Sequence, residues 1–314
     1  MKRRATEPRA LAGLQPTLSR FENAVSARAT RITLDLDPTD DPTHGQQEFA
    51  FFNGHYDTWC YLPVVATVTF NDEAAQFAVA AVLRPGNAPA GLGARGILRA
   101  LLRKLRAAFP AATFRVRLDG GFASAKLFTF LEREQVEYVV AMPSNRRLDK
   151  RARRLMGRAR VQSRQTGETA HLYGETRYAA KTWSRRRRVI IKAEVVRHPG
   201  RAPKNHPRFV VTNLTAAPAA VYALYCQRGD VENRLKELHH GDGPHQLLEV
   251  RANQFRVLLT LAAYILFQEL RRRTATTADA QVTTLRTLKR IRGASAVRGK
   301  TWGCPPFGSV DPPL

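Results

Sequence analysis

The first half of the chain divides into short blocks of clear period. In "TRITLDLD", residues 30–37, Ile32, Leu34 and Leu36 fall on one face and Thr33, Asp35 and Asp37 on the other. A period of two is that of a half-buried strand. "YLPVVATVTF" and "AQFAVAAVL" follow as apolar, β-branched runs with Asn71-Asp72 as a turn between them, so the three strands make an antiparallel meander. "RPGNAPAGLG" interrupts the pattern with Pro and Gly. "ARGILRALLRKLRAAF" is then an amphipathic helix through Ile97, Leu101 and Leu105, with Leu98 and Leu102 at its edge. "TFRVRLDGGF" is a fourth strand ending at Asp119 and a glycine pair. "ASAKLFTFLERE" is a helix and "VEYVVAMP" a fifth strand. Three strands followed by helix, strand, helix, strand predict an α/β fold with a mixed sheet flanked by helices.

The pattern then changes, and five segments follow from it. Residues 1–30 are a basic segment with a weak helical pattern, and residues 31–143 are the first part of the core. Residues 144–218 are very basic and short of helical signals. Of their three runs, "NRRLDKRARRL", "KTWSRRRRVIIKAEVV" and "RFVVTNL", the last two read as strands of a separate β-rich unit inserted into the core. Helical period returns at "AAVYALYCQRGDVENRLKEL" and "NQFRVLLTLAAYILFQELRRR", so residues 219–272 complete the core with helices. Residues 273–314 are rich in Thr, Arg, Gly and Pro and read as a disordered tail. No internal repeat is present.

Composition adds a partner to this outline. Lys and Arg number 51 against 26 Asp and Glu, a formal charge of +25. Most of the cations are Arg, which grips phosphate bidentately. A twofold cation excess points to a polyanion, most simply nucleic acid. Cys60, Cys226 and Cys304 are scattered and odd in number, which argues against a disulfide framework, and no zinc spacing occurs. The basic N-terminus leads into no apolar segment, so no signal peptide is expected. The longest apolar run, Val257 to Phe267, is too short to cross a bilayer. The expected location is cytoplasmic, with access to the chromosome and no membrane partner.

Against this basic background the acidic residues stand out. Asp37 ends the first strand, and Asp119 ends the fourth before Gly120-Gly121. Active groups of α/β sheets collect at the carboxyl ends of strands. Glu232 lies on a helix beyond the basic insertion, with Tyr225 and Arg228 at offsets that stack ring, guanidinium and carboxylate along one helix face. Three carboxylates converging in a phosphate-binding protein suit Mg²⁺, and two such ions serve phosphoryl transfer. Asp35 faces the same side as Asp37 and is the reserve candidate, with a hydrogen bond to a neighbouring strand or turn as its simpler role.

The chain resembles bacterial insertion-sequence transposases with an RNase H-like DDE core, in the subgroup that carries a β-strand insertion before the catalytic glutamate. "LDLDPTDDPTHGQQEFAFFNGHYDTWCYLP" is similar to the first-aspartate block and matches Asp37, with Thr39 after it. "LRPGN" and "RLDGGFA" are similar to the second-aspartate block and match Asp119. Tyr225, Arg228 and Glu232 meet the pattern Y-x2-R-x3-E. The family pattern continues to a lysine, where this chain has His239 followed by His240. A lysine is a permanent cation there, whereas histidine is mostly neutral at pH 7. The resemblance covers residues 15–270.

The resemblance implies Mg²⁺, or Mn²⁺ in its place, held by Asp37, Asp119 and Glu232. It implies cleavage of double-stranded DNA at transposon ends, strand transfer to a target, and a homodimer on DNA. Tyr225, Arg228 and His239 would meet DNA, and Tyr225 and Arg228 would position phosphates near the metals. In the insertion, Lys181, Trp183, Arg185, Arg186, Arg187 and Arg188 form a basic tip expected to grip phosphates, with Trp183 stacking on an unpaired base. The short segment before the first strand and the Pro-rich tail read as an N-terminally truncated, C-terminally altered copy. A catalytically incompetent DNA-binding remnant and an RNase H-like nuclease are the alternatives.

Overall fold

The computed structural model describes residues 29–73, 75–228 and 250–274. The meander consists of β1 (Arg31–Pro38), β5 (Val64–Phe70) and β6 (Gln76–Val82), paired antiparallel. Between β5 and β6 the chain turns at Asn71 and Asp72, with φ of 51° and 61°. Asn and Asp are the non-glycine residues that best tolerate this left-handed region. The Asn71 side chain also accepts a hydrogen bond from the Thr30 amide at 2.8 Å, tying the turn to the start of β1.

Helix α1 (Ala94–Ala108) carries the chain back so that β7 (Thr113–Leu118) pairs parallel with β1. Helix α2 (Ala125–Arg133), capped by Ser124, does the same for β8 (Glu137–Met142) beside β7. The predicted elements therefore form, in the sheet order β6-β5-β1-β7-β8. Two antiparallel strands followed by three parallel ones, in this connection, make an RNase H-like fold.

Strand parity sorts the side chains onto two faces. Ile32, Leu34 and Leu36 of β1, Phe114, Val116 and Leu118 of β7 and Val140 of β8 enter the main core with Leu98, Leu101, Leu102 and Leu105 of α1. These four leucines are at most 1% exposed, and each contributes about 1.5–3 kcal/mol by burial. Residues of opposite parity face the other way. There Val139, Ile190 and Val210 form a second cluster with Val221 and Tyr222 of α4 (Pro218–Cys226). Asp35, Asp37 and Arg117 share the parity of that second face.

Residues 144–218 differ from the sequence reading in two ways. First, Arg146–Thr166 is a 21-residue helix, α3. Its buried stripe is Leu148, Ala152, Met156, Ala159 and Ser163. That spacing is helical, but its small residues were overshadowed by arginines, which are themselves good helix formers. Asn145 caps its start, accepting from the amides of Arg147 and Leu148, and Gly167 at φ 74° ends it. Second, β9 (Ala170–Tyr178), β10 (Arg187–Val196) and β11 (Lys204–Thr212) do not form a separate sheet. β11 pairs antiparallel with β8, and the whole is one eight-stranded sheet, β6-β5-β1-β7-β8-β11-β10-β9. Val139 and Val140 lie on an otherwise open strand edge, and pairing satisfies their backbone groups.

A small sheet, β2 (Asp41–Pro42), β3 (Phe51–Asn53) and β4 (Thr58–Tyr61), in the order β2-β4-β3, forms between β1 and β5. Gly86 is required beneath it: a Cβ there would lie 2.0 Å from the Cys60 carbonyl oxygen and 2.7 Å from that of Phe51. The last described helix is α5 (Val250–Thr274). Gln254 on it accepts from the Leu83 amide at 2.7 Å and donates to the Ala81 carbonyl at 3.2 Å, covering the edge of β6. The chain divides into two compact units, 1–262 and 263–314. The tail beyond residue 274 lies outside the described residues. Among the described residues no helix is long and apolar enough to cross a membrane.

Candidate active site

Register places the first two aspartates. Leu36 of β1 pairs with Leu118 of β7 in the parallel ladder, so the next residue of each strand, Asp37 and Asp119, emerges side by side at the carboxyl end of the sheet. Their 82-residue separation (119 − 37) is closed by strand pairing alone. Asp119 opens a single 3-10 turn, Gly120–Phe122, and its Oδ1 accepts from the Gly121 amide at 2.9 Å. Position 121 has no room for a side chain, since a Cβ would sit 2.7 Å from the Cβ of Ala90. One carboxylate oxygen is thus anchored while the side chain stays 34% exposed, against 9% for Asp37.

A third segment closes the site. Arg228 Nη2 donates to Asp37 Oδ1 at 2.6 Å and lies 4.0 Å from Asp119 Oδ2. Behind it Arg117 holds Asp35 through two hydrogen bonds, Nε to Oδ1 at 2.8 Å and Nη2 to Oδ2 at 2.7 Å. Its remaining nitrogen, Nη1, donates to the Leu224 carbonyl at 3.3 Å and to Gln227 Oε1 at 3.1 Å. The buried Asp35–Arg117 pair therefore fastens the end of α4 to β1 and β7, immediately before Arg228. Asp35 has the simpler of its two expected roles, a side-chain bond to a neighbouring strand.

The electrostatics follow from this packing. Burial works to lower the Arg228 pKa, but Asp37, Tyr225 and Asp119 together hold it above the ordinary arginine value. Burial raises the Tyr225 phenol, the Arg228 charge opposes that, Asp119 adds to it, and the net direction is upward. Tyr56 was not singled out from sequence. Burial, then Asp40, Asp37, Cys60 and Asp119, push it up to about 12. Its hydroxyl donates to the Pro38 carbonyl at 3.4 Å. It sits in "NGHYDTW" of the first-aspartate block, where no periodicity marks it.

The other expected site residues divide. Glu232 and His239 lie outside the described residues. Arg185, Arg187 and Arg188 are engaged: Arg187 forks onto Glu132 at 2.7 and 2.9 Å, Arg185 reaches Glu132 at 2.7 Å, and Arg188 pairs with Glu175. Arg186 joins them in lining a cavity of about 590 Å³. Arg188 pairs across the ladder with Thr212, which pairs with Val139. This cluster thus stands at the amino-terminal end of β8, the end of the sheet remote from Asp37 and Asp119. Trp183 packs edge-on against Phe128 and Tyr178, with ring centroids at 5.0 and 5.6 Å, and Arg187 lies over its ring. Lys181, two residues earlier, is exposed.

The donor chemistry suits a hard divalent cation. Two carboxylates meet, and a cationic nitrogen already bridges them at 2.6 and 4.0 Å. Among the described residues no group of three His, Cys, Asp or Glu forms a complete metal cluster.

The strand order β6-β5-β1-β7-β8, with Asp37 and Asp119 at the carboxyl ends of two adjacent parallel strands, defines an RNase H-like core. The family model "transposase DDE domain group 1" matches residues 26–299, and the chain belongs to this transposase family. Membership implies a polynucleotidyl-transferase type of enzyme and DNA binding. Among curated proteins none matches the sequence.

Proposed function

We propose that the protein carries out metal-dependent DNA strand cleavage and strand transfer at the ends of an insertion sequence. The observation that carries this reading is the meeting of Asp37 and Asp119 under one guanidinium nitrogen of Arg228. Glu232, four residues past Arg228, is the proposed third carboxylate. Mg²⁺ bound by the three would activate the attacking oxygen, first of water and then of a DNA 3′-hydroxyl, and stabilise the leaving oxygen. Asp37 and Asp119 supply hard oxygen ligands from a rigid sheet, so their spacing is set before substrate arrives. Arg228, backed by Arg117, would meet a phosphate next to the carboxylates. Tyr225, kept protonated by burial, would donate a hydrogen bond to a phosphate oxygen.

The test uses the full chain and DNA carrying the inverted repeats that flank its gene. Cleavage should require Mg²⁺ or Mn²⁺ and stop in chelator. Ca²⁺ should support binding with little chemistry, because its looser coordination fits poorly. Asp119→Ala should fold and bind but not cut. Undiminished cleavage by that variant would overturn the assignment.

A further inference from the structure

Several arginines on or beside the sheet are matched to acids. Arg106 pairs with Glu134 at 3.0 Å, Arg115 with Glu137 at 2.7 Å, Arg117 with Asp35 at 2.7 Å and Arg187 with Glu132 at 2.7 Å. Helix α3 holds a denser run of cations. It carries nine Lys and Arg against one acid, Asp149. Among the described residues, none of the nine makes an ion pair; Arg151 donates only to the Thr176 hydroxyl, at 2.9 Å. The buried stripe Leu148, Ala152, Met156, Ala159 and Ser163 fixes which side faces the sheet. Arg147, Lys150, Arg154 and Arg158 therefore line the exposed side at steps of three, four and four, about one cation per 5.4 Å turn. Nine like charges repel one another, and a folded protein that leaves them unmatched has placed a binding surface for a polyanion there.

The position of α3 says which polyanion. A Cβ on Gly120, next to Asp119, would lie 3.3 Å from the ring of Pro143, and α3 starts at Arg146. The helix thus begins at the catalytic end of the sheet. It continues beyond that end, because β8 stops where Met142 pairs with Phe209 while β11 and β10 run on to Lys204 and Val196. Five further residues per strand extend the sheet by roughly 17 Å. Leu155 packs against Gly174 of β9, keeping α3 on this extension. Its 21 residues span about 31 Å, close to one turn of duplex DNA at about 34 Å.

We infer that the exposed face of α3 is the track for the backbone of duplex DNA leading to Asp37 and Asp119. This rests on the reading of those aspartates as the cutting site. The contacts are to phosphates, so the track holds DNA of any sequence and sets its direction relative to the carboxylates.

Replacing Arg147, Lys150, Arg154 and Arg158 together by Gln tests it, since Gln is also a good helix former and the fold should persist. The probe is a fluorescent 30-base-pair duplex of random sequence, followed by anisotropy over a salt series in Ca²⁺. The slope of log affinity against log salt should shallow by about 3–4, at roughly 0.9 per phosphate contact. Affinity at 0.1 M salt should fall by about two to three orders of magnitude. A control replacing Arg99, Arg103, Lys126 and Arg133 by Gln removes the same charge from α1 and α2 and should change the slope little. An unaltered slope in the α3 variant, or an equal loss in the control, overturns the inference. Failure of the catalytic reading shows separately, as Asp119→Ala cleaving normally.

Discussion

The Asp35–Arg117 pair separates what holds the fold from what aims the site. Asp35 is 0% exposed and Arg117 2%. Asp35→Asn keeps the shape of the side chain but removes its charge, so the guanidinium faces an amide inside the protein. Breaking a buried, fork-like pair from one side costs about 3–5 kcal/mol. In a chain of this size each kcal/mol lowers Tm by about 2–4 °C, so thermal melts followed by circular dichroism should fall by about 6–20 °C. The double change Asp35→Leu with Arg117→Met replaces both charges with apolar groups and should recover most of that loss, since such swaps are often neutral. It also deletes the bonds from Arg117 to the Leu224 carbonyl and Gln227. Arg228 then loses its backing, and DNA cleavage should drop although the melt is restored. A single variant melting within 1 °C of wild type would refute the buried-pair account. Full cleavage by the stable double variant would refute the positioning role.

Other consequences concern the rest of the sheet. Gly86→Ala drives a Cβ into the Cys60 carbonyl; backbone cannot yield as a side chain does, and urea unfolding should show a loss of about 1–3 kcal/mol or more. Glu132 is partly buried, which raises its pKa, but hydrogen bonds from Arg187 and Tyr138 and the Arg187 charge prevail and hold it below its ordinary 4.5. A lowered folded value means the stabilisation is present above the ordinary carboxyl range and is lost as pH falls below it. Melts from pH 7 to 3 should therefore show a shallower acid limb in Glu132→Gln than in wild type; identical limbs would exclude this carboxylate as a source. Trp183→Ala should lower stability by about 2–3 kcal/mol, less than for a fully buried Trp, and leave the affinity of the folded protein for duplex DNA unchanged. A selective loss of DNA binding would assign Trp183 to bases instead.

Much of the core was decided locally and is legible in the residues. The alternation of Ile32, Leu34 and Leu36 with Thr33, Asp35 and Asp37 needs only the pleat of one strand. The leucines of α1 need only a helical turn. Asn71-Asp72 needs only backbone sterics. Each of these forms where its pattern predicts. α3 was legible too, in the four-residue steps from Leu148 to Ala152 to Met156 and in its Asn145 cap, but a dense arginine run hides a stripe made of small side chains.

What the tertiary structure alone decided is pairing. Nothing near residue 37 says that Leu36 will align with Leu118, yet that register brings Asp37 beside Asp119. Nothing in Asp35 itself distinguishes a metal ligand from the partner of Arg117, a residue 82 positions away (117 − 35). Likewise β11 joins β8 through an edge whose vacancy exists only once the first five strands have assembled. Period and propensity act over a few residues and are written in the order of the chain. Register, edge pairing and charge matching act between segments that meet only on folding, so their outcome depends on the whole sheet.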